Sequence, residues 1–200
     1  DAIVNIDLEN RIPKEEHKSL NIIRLGTSGA MQEDIPVGSY VMSTHGIGLD
    51  GLMHFYAAGN STIDHELTDA FLKQTNWPEE LPQAYIVPGS DDLIQRMGKG
   101  YLKGITATAP GFFGPQGRIL RLDLAYPDLN DRISNFNHQG FRIANFEMET
   151  SALYGLSKAL GHNAMTVCAI IANRLRKEYS KDYRPTVKAL IEDLLQKLSD

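Results

Sequence analysis

An α/β fold is predicted for this 200-residue chain by two features of its pattern. Short apolar runs of strand length end in clusters of small or polar residues, and stretches with helical spacing of apolar residues alternate with them. A composition of 42% hydrophobic and 22% charged residues adds that a sizeable core can be buried, and the length suits one domain over residues 1–200. No internal repeat, low-complexity tract or linker divides the chain.

The elements follow in order. Ala2-Ile3-Val4-Asn5-Ile6 reads as the inside of an element, and Asp1 is not an initiator methionine, so a segment upstream is expected. Leu20 to Leu25 is a strand opening into the small-residue loop Gly26-Thr27-Ser28-Gly29, the kind of strand end where ligands of α/β folds gather. The turn Ile35-Pro36-Val37-Gly38 leads into a strand around Ser39 to Thr44, and Asp64 to Gln74 reads as a helix capped by Ser61 or Thr62. Ala84 to Val87 and Lys103 to Ala109 are further strands. The second ends in Pro110-Gly111-Phe112-Phe113-Gly114-Pro115, a loop stiffened by proline and aromatic rings. Phe141 to Phe146 alternates as a strand, after which Ala152, Leu156, Ala159 and Leu160 recur with helical spacing before Gly161. Ala164 to Ala172 is the longest β-rich run and ends in Asn173-Arg174. A final helix from about Pro185 carries Val187, Leu190, Ile191, Leu194, Leu195 and Leu198 as one apolar stripe packed on the sheet.

Charge and composition exclude several functions. A net charge of -5, a pI near 5.7 and the lack of a Lys/Arg cluster argue against nucleic acid as a partner. No apolar run reaches the roughly 18 residues that span a bilayer and no signal-peptide pattern opens the chain, so no membrane partner and a cytoplasmic address are expected. Cys168, the single cysteine, lies in the apolar run Met165 to Ala172 and reads as a buried strand residue of a reducing compartment. The 6 histidines are scattered without ligand spacing, so no metal is expected; His54, among Leu52, Met53, Phe55 and Tyr56, is the one in notable surroundings.

Polar residues at four strand ends suit one ligand. Arg24 beside Thr27 and Ser28 can hold an oxyanion, although alone it is as readily structural. Gln116 offers a donor and an acceptor and Arg118 adds donors, a match to the imide edge of a pyrimidine whose ring face would stack on Phe112; in isolation the Gly-Pro-Gln-Gly-Arg segment is a surface turn. Glu147 and Glu149 lie where a strand runs into a helix. Carboxylates there complement the helix macrodipole, and a carboxylate such as Glu149 also suits two neighbouring sugar hydroxyls. Asn173 and Arg174 form the fourth group.

Taken together, Arg24-Leu25-Gly26-Thr27-Ser28-Gly29, Phe112 with Gln116 and Arg118, Phe146-Glu147-Met148-Glu149 and Ile170-Ile171-Ala172-Asn173-Arg174 resemble, in order and spacing, the nucleoside phosphorylases of the uridine phosphorylase type. The resemblance implies a mixed, partly barrel-like central sheet flanked by helices. It also implies phosphorolysis of a pyrimidine nucleoside, uridine foremost, to free base and ribose 1-phosphate, with inorganic phosphate as co-substrate and no cofactor. A homodimer, or a hexamer built from dimers, is implied as well. Arg24 and Thr27 would hold phosphate, with Thr27 also near the ribose; Ser28 and Gly29 would line the base side, with Ile171 as an apolar wall. Phe112, Gln116 and Arg118 match pyrimidine-recognition positions. Met148 and Glu149 match ribose positions, and Glu147 is their companion. Arg118, stabilising the departing base anion, and Glu149, fixing the ribose, are the expected catalytic residues. Purine-cleaving relatives usually carry an Asp acid where Asn173 stands, so Asn173 favours a pyrimidine. A purine nucleoside phosphorylase, a nucleosidase of the same fold and a silent nucleoside-binding protein remain the alternatives. The family's N-terminal phosphate loop and further arginines have no counterpart before Asp1, so the domain is expected to be N-terminally incomplete.

Overall fold

Residues 1–199 are described by a computed structural model. A helical turn α1 (Ala2–Asn5) precedes β1 (Ile6–Asp7) and β2 (Ile12–Pro13), an antiparallel pair outside the main sheet. The chain then runs through β3 (Asn21–Ala30), β4 (Tyr40–Gly48), α2 (His65–Gln74), β5 (Tyr85–Pro88), α3 (Asp91–Met97) and β6 (Leu102–Thr108). It continues with α4 (Leu129–Ser134), β7 (Asn137–His138), β8 (Phe141–Glu147), α5 (Thr150–Ala159), β9 (Asn163–Asn173), β10 (Glu178–Tyr179) and α6 (Arg184–Ser199).

Five of these strands close into a ring. β3 lies parallel to β9 and antiparallel to β8, β8 is parallel to β6, β6 is parallel to β4, and Tyr40–Met42 of β4 return to pair antiparallel with Ala169, Cys168 and Val167 of β9. The far half of β4, His45 to Gly48, pairs with β5 instead. The sheet is therefore a closed, mixed barrel at one end and open at the other, as the sequence resemblance implied.

Closure divides the core between faces. Ile47, Ile105, Ile143 and Phe146 meet Phe71 of α2 and Phe136 beyond α4. Met42, Met165 and Val167 meet Leu93 and Met97 of α3 and Leu190 and Leu194 of α6. Tyr154 of α5 packs with Tyr85 and Met53. Its hydroxyl donates to the Ser43 carbonyl at 2.7 Å and accepts the Thr166 N–H at 2.8 Å, satisfying a polar tip in a dry interior.

Several expectations are corrected. Gly26 to Gly29 is strand, since every residue from Asn21 to Ala30 pairs with β9, with one register shift after Ser28. The α2 cap is Asp64, whose carboxylate accepts the Leu67 N–H at 3.0 Å, while Ser61 and Thr62 sit in a preceding 3₁₀ turn. The α6 stripe is only half covered: Leu190 and Leu194 are buried, whereas Ile191, Leu195 and Leu198 are exposed. The short α3, α4, β1, β2, β7 and β10 carry too few residues for a periodic signal. Cys168 is buried in β9 as expected. Among the described residues no helix is long and apolar enough to cross a membrane, and no group of His, Cys, Asp and Glu has a metal-binding arrangement.

Candidate active site

Because β8 ends at Glu147, its pairing with β3 covers only Gly29 and Ala30. Arg24 to Ser28 thus have β9 along one edge and the turn into α5 along the other. The groove so formed is a cleft of about 940 Å³. Arg24, Thr27, Ser28 and Gly29 line it from β3, Phe112, Gln116 and Arg118 from the loop after β6, Glu147, Met148 and Glu149 from the β8–α5 turn, and Ile171 from β9.

The two carboxylates have different duties. Glu147 is buried and accepts from the Thr108 hydroxyl at 2.8 Å, the Glu149 N–H at 3.1 Å, the Thr150 N–H at 3.0 Å and the Thr150 hydroxyl at 2.9 Å. It caps α5 and sits at the positive end of its dipole, so the macrodipole role belongs to Glu147. Glu149 holds the N-cap position in backbone terms but makes no capping bond, and its side chain is 59% exposed.

Arg24 lies between them. Its Nη1 is 3.0 Å from Glu147 Oε2 and donates to Cys168 Sγ at 3.5 Å, and its Nη2 pairs with Glu149 Oε2. Gly26, two residues along the same strand face, makes room: a Cβ there would lie 2.7 Å from Arg24 Nη1. Burial works against the Arg24 charge, but Cys168, Glu147 and Glu149 together outweigh it and hold its pKa above the ordinary value. Burial pushes the Cys168 thiol up to about 11, so at neutral pH the thiol is uncharged and the pull on Arg24 comes from the carboxylates.

At the other end, Gln116 is buried and its Oε1 accepts from Arg118 Nη1 at 2.7 Å and from Arg174 Nη2; Arg174 Nη1 also donates to the Gln116 carbonyl at 2.7 Å. Two guanidinium donors assign that atom as the oxygen. The acceptor expected to meet an imide N–H is thus already shared by two guanidiniums. Arg118 stands 3.8 Å over the Phe112 ring, which also packs edge-to-face with Phe113 and is half exposed. Burial lowers the pKa of Arg118; burial and the Arg118 charge together take Arg174 down to about 10. Ser28 Oγ accepts from Asn145 Nδ2 at 2.8 Å, and Asn145 Oδ1 accepts from Thr106 at 2.7 Å, so a buried chain fixes the hydroxyl at the cleft floor.

Asn173 is a correction. Its amide donates to the carbonyls of Gln32 and Ile35, both at 2.8 Å, and accepts the Arg176 N–H at 2.9 Å, so the side chain clasps two turns and does not line the cleft. Sequence reasoning underused Arg174, although it adjoins a strand end already singled out, and overlooked Thr108, which anchors Glu147 from the end of an expected strand. Tyr179 and Tyr183, also on the cleft, carry no local signal. His54 is exposed outside the cleft, edge-on to Tyr85. A second cleft of about 800 Å³, mostly apolar, runs past Trp77, Phe113 and Leu122 and shares Arg118, but it gathers no comparable set of paired charges.

Comparison with known proteins adds sequence relatives. The profile of the family described as Phosphorylase superfamily matches residues 3–198. The uridine phosphorylase of Thermococcus kodakarensis is 29% identical over 167 residues, covering 80% of this chain and 50% of that protein. The uridine phosphorylase of Haemophilus influenzae is 27% identical, covering 78% and 55%, and that of Escherichia coli 26% identical, covering 84% and 60%. The chain thus spans about half the length of the curated relatives it matches. A Trypanosoma brucei nucleoside phosphorylase, whose crystal structure is described as showing uridine phosphorylase activity, shares the fold with a TM-score of 0.77 at 23% identity, over 98% of this chain and 73% of that one.

Proposed function

We infer that this chain, which belongs to the phosphorylase superfamily, carries the nucleoside site of an enzyme that cleaves uridine with phosphate to uracil and ribose 1-phosphate. The observation that carries the reading is the layout along β3. Arg24, beside Glu149, marks one end of the cleft, and Gly29, where a Cβ would lie 3.3 Å from Arg174 Nε, marks the other. The five residue steps between them span about 16 Å, room for a phosphate, a ribose and a base in line.

In this reading Arg24 and Thr27 take the phosphate, Glu149 and Met148 the ribose, and Gln116, Arg118, Phe112, Ser28, Gly29 and Ile171 the base. Arg174 joins the base group, and Glu147 serves by orienting Arg24. A phosphate oxygen bonds to the anomeric carbon as the C–N bond breaks, and the bonding pair leaves with the base, which is later protonated by solvent. Orientation comes from Glu149 and charge stabilisation from Arg118. No cofactor is required beyond inorganic phosphate as co-substrate, and assembly as a homodimer or a hexamer of dimers goes with this reading. The choice of pyrimidine rests on Gln116 and the two guanidiniums, because Asn173 is occupied elsewhere.

Uracil release from uridine by the complete protein, measured with and without phosphate and beside inosine, tests this. Release that needs phosphate and exceeds that from inosine is expected. Phosphate-independent release would make it a nucleosidase, and faster cleavage of inosine would make it a purine enzyme.

A further inference from the structure

Two residues that the proposed reaction assigns to different ligands are paired with each other. Arg24 Nη1 is occupied by Glu147 and Cys168 and one N–H of Nη2 by Glu149 Oε2, so an oxyanion is left Nε and the second Nη2 N–H, both beside the Glu149 carboxylate. Glu147 is not free to yield. Its side chain is 2% exposed and holds the start of α5 through Thr108, the Glu149 N–H and Thr150. Glu149 is free to do so: its side chain is largely exposed and Arg24 is its only side-chain partner among the described residues. An ion pair with one exposed member adds little stability, so exchanging it costs little.

An oxyanion arriving at Nη2 meets the like charge of Glu149. A vicinal diol changes this. Two neighbouring hydroxyls donating side by side to one carboxylate engage both of its oxygens, so they compete with Arg24 for Oε2 and draw its charge away from the guanidinium. A sugar with a single hydroxyl is served by Oε1 alone and leaves the ion pair in place.

We propose that the Arg24–Glu149 pair couples the two halves of the cleft: the 2′,3′-diol of a ribonucleoside draws Glu149 off Arg24 and thereby opens the oxyanion site. This rests on the uridine phosphorylase reading. Nucleoside and oxyanion then bind cooperatively, and by thermodynamic linkage each tightens the other by the same factor. A 2′-deoxynucleoside couples weakly, so selectivity for ribose extends to the oxyanion site.

Calorimetric titration of the complete protein with uridine and with 2′-deoxyuridine, each with and without saturating sulfate, tests the coupling. Sulfate is an oxyanion of phosphate shape that leaves the nucleoside uncleaved. Sulfate is expected to tighten uridine binding about 5-fold or more, the lower end of ordinary site–site coupling, and 2′-deoxyuridine hardly at all. In Glu149→Gln, whose neutral amide forms no ion pair with the guanidinium and does not repel the oxyanion, the uridine enhancement is expected to disappear; circular dichroism verifies the fold. An equal factor for both nucleosides, a uridine factor near one, or an enhancement surviving in Glu149→Gln would overturn the coupling. Phosphate-dependent uracil release alongside such a result removes the coupling alone, whereas no release and no uridine binding removes the parent reading too.

Discussion

Glu147 and Glu149 are two residues apart in the chain and opposite in circumstance. The first is buried, accepts from Thr108, Thr150 and the Glu149 N–H, and fixes Arg24; the second is exposed and its side chain pairs, among the described residues, with Arg24 alone. Glu147→Gln therefore loses charge-assisted bonds and removes the buried partner of a guanidinium. A loss of about 3 kcal/mol in unfolding free energy is expected. Glu149→Gln should stay within about 0.5 kcal/mol of the parent, as surface substitutions do. Urea denaturation of the two variants compares them, and equal losses would contradict the assignment. At this scale the sequence showed that acids stand at a strand–helix junction. Which one caps the helix depends on the turn of the backbone at Met148, and a pattern of residue types does not carry that angle. The same holds for Asn173, whose amide type fits a base pocket until the positions of Gln32 and Ile35 turn it aside.

The helix that bears this junction is held against the sheet by absent side chains. At Gly46 of β4 a Cβ would come 2.8 Å from the Ser151 Cα and 2.9 Å from its N, both backbone atoms of the first turn of α5. Gly46→Ala must push that turn outward, and a loss of about 1–3 kcal/mol is expected. At Gly155, inside α5, the added methyl would meet the Met53 side chain at 2.5 Å, a flexible thioether that can give way. The midpoint of thermal unfolding should therefore fall further for Gly46→Ala than for Gly155→Ala, and the reverse order would refute the close helix–strand approach. Elements with long periodic signals, α2, α5, α6 and the strands β6, β8 and β9, were legible in the sequence. Gly26 to Gly29 was not. Its glycines and hydroxyls have turn-forming propensity, and pairing with β9 overrides that preference.

Across the whole molecule, stability follows the ring of β9, β3, β8, β6 and β4, where buried residues such as Ile105, Val167 and Met165 lie between paired neighbours. The β1–β2 pair stands apart from that ring, with Ile12 and Pro13 exposed. Native-state hydrogen exchange should then find the slowest amides in β4, β6 and β9 and the fastest in residues 6–13. Equal protection in both regions would show that the hairpin is a cooperative part of the fold.

Sequence by itself determined the α/β class, the burial of Cys168, the acidic junction and the strand-end residues that line the cleft, because burial periodicity and residue chemistry are local properties. Tertiary structure alone decided that the sheet closes through Tyr40–Met42 on β9, that Gln116 is shared by two guanidiniums, and that Arg24 meets Glu149 across a separation of 125 residues. Those pairings join segments far apart in the chain. They arise from strand register and helix approach, which are set when the whole core packs and not by any short stretch of residues.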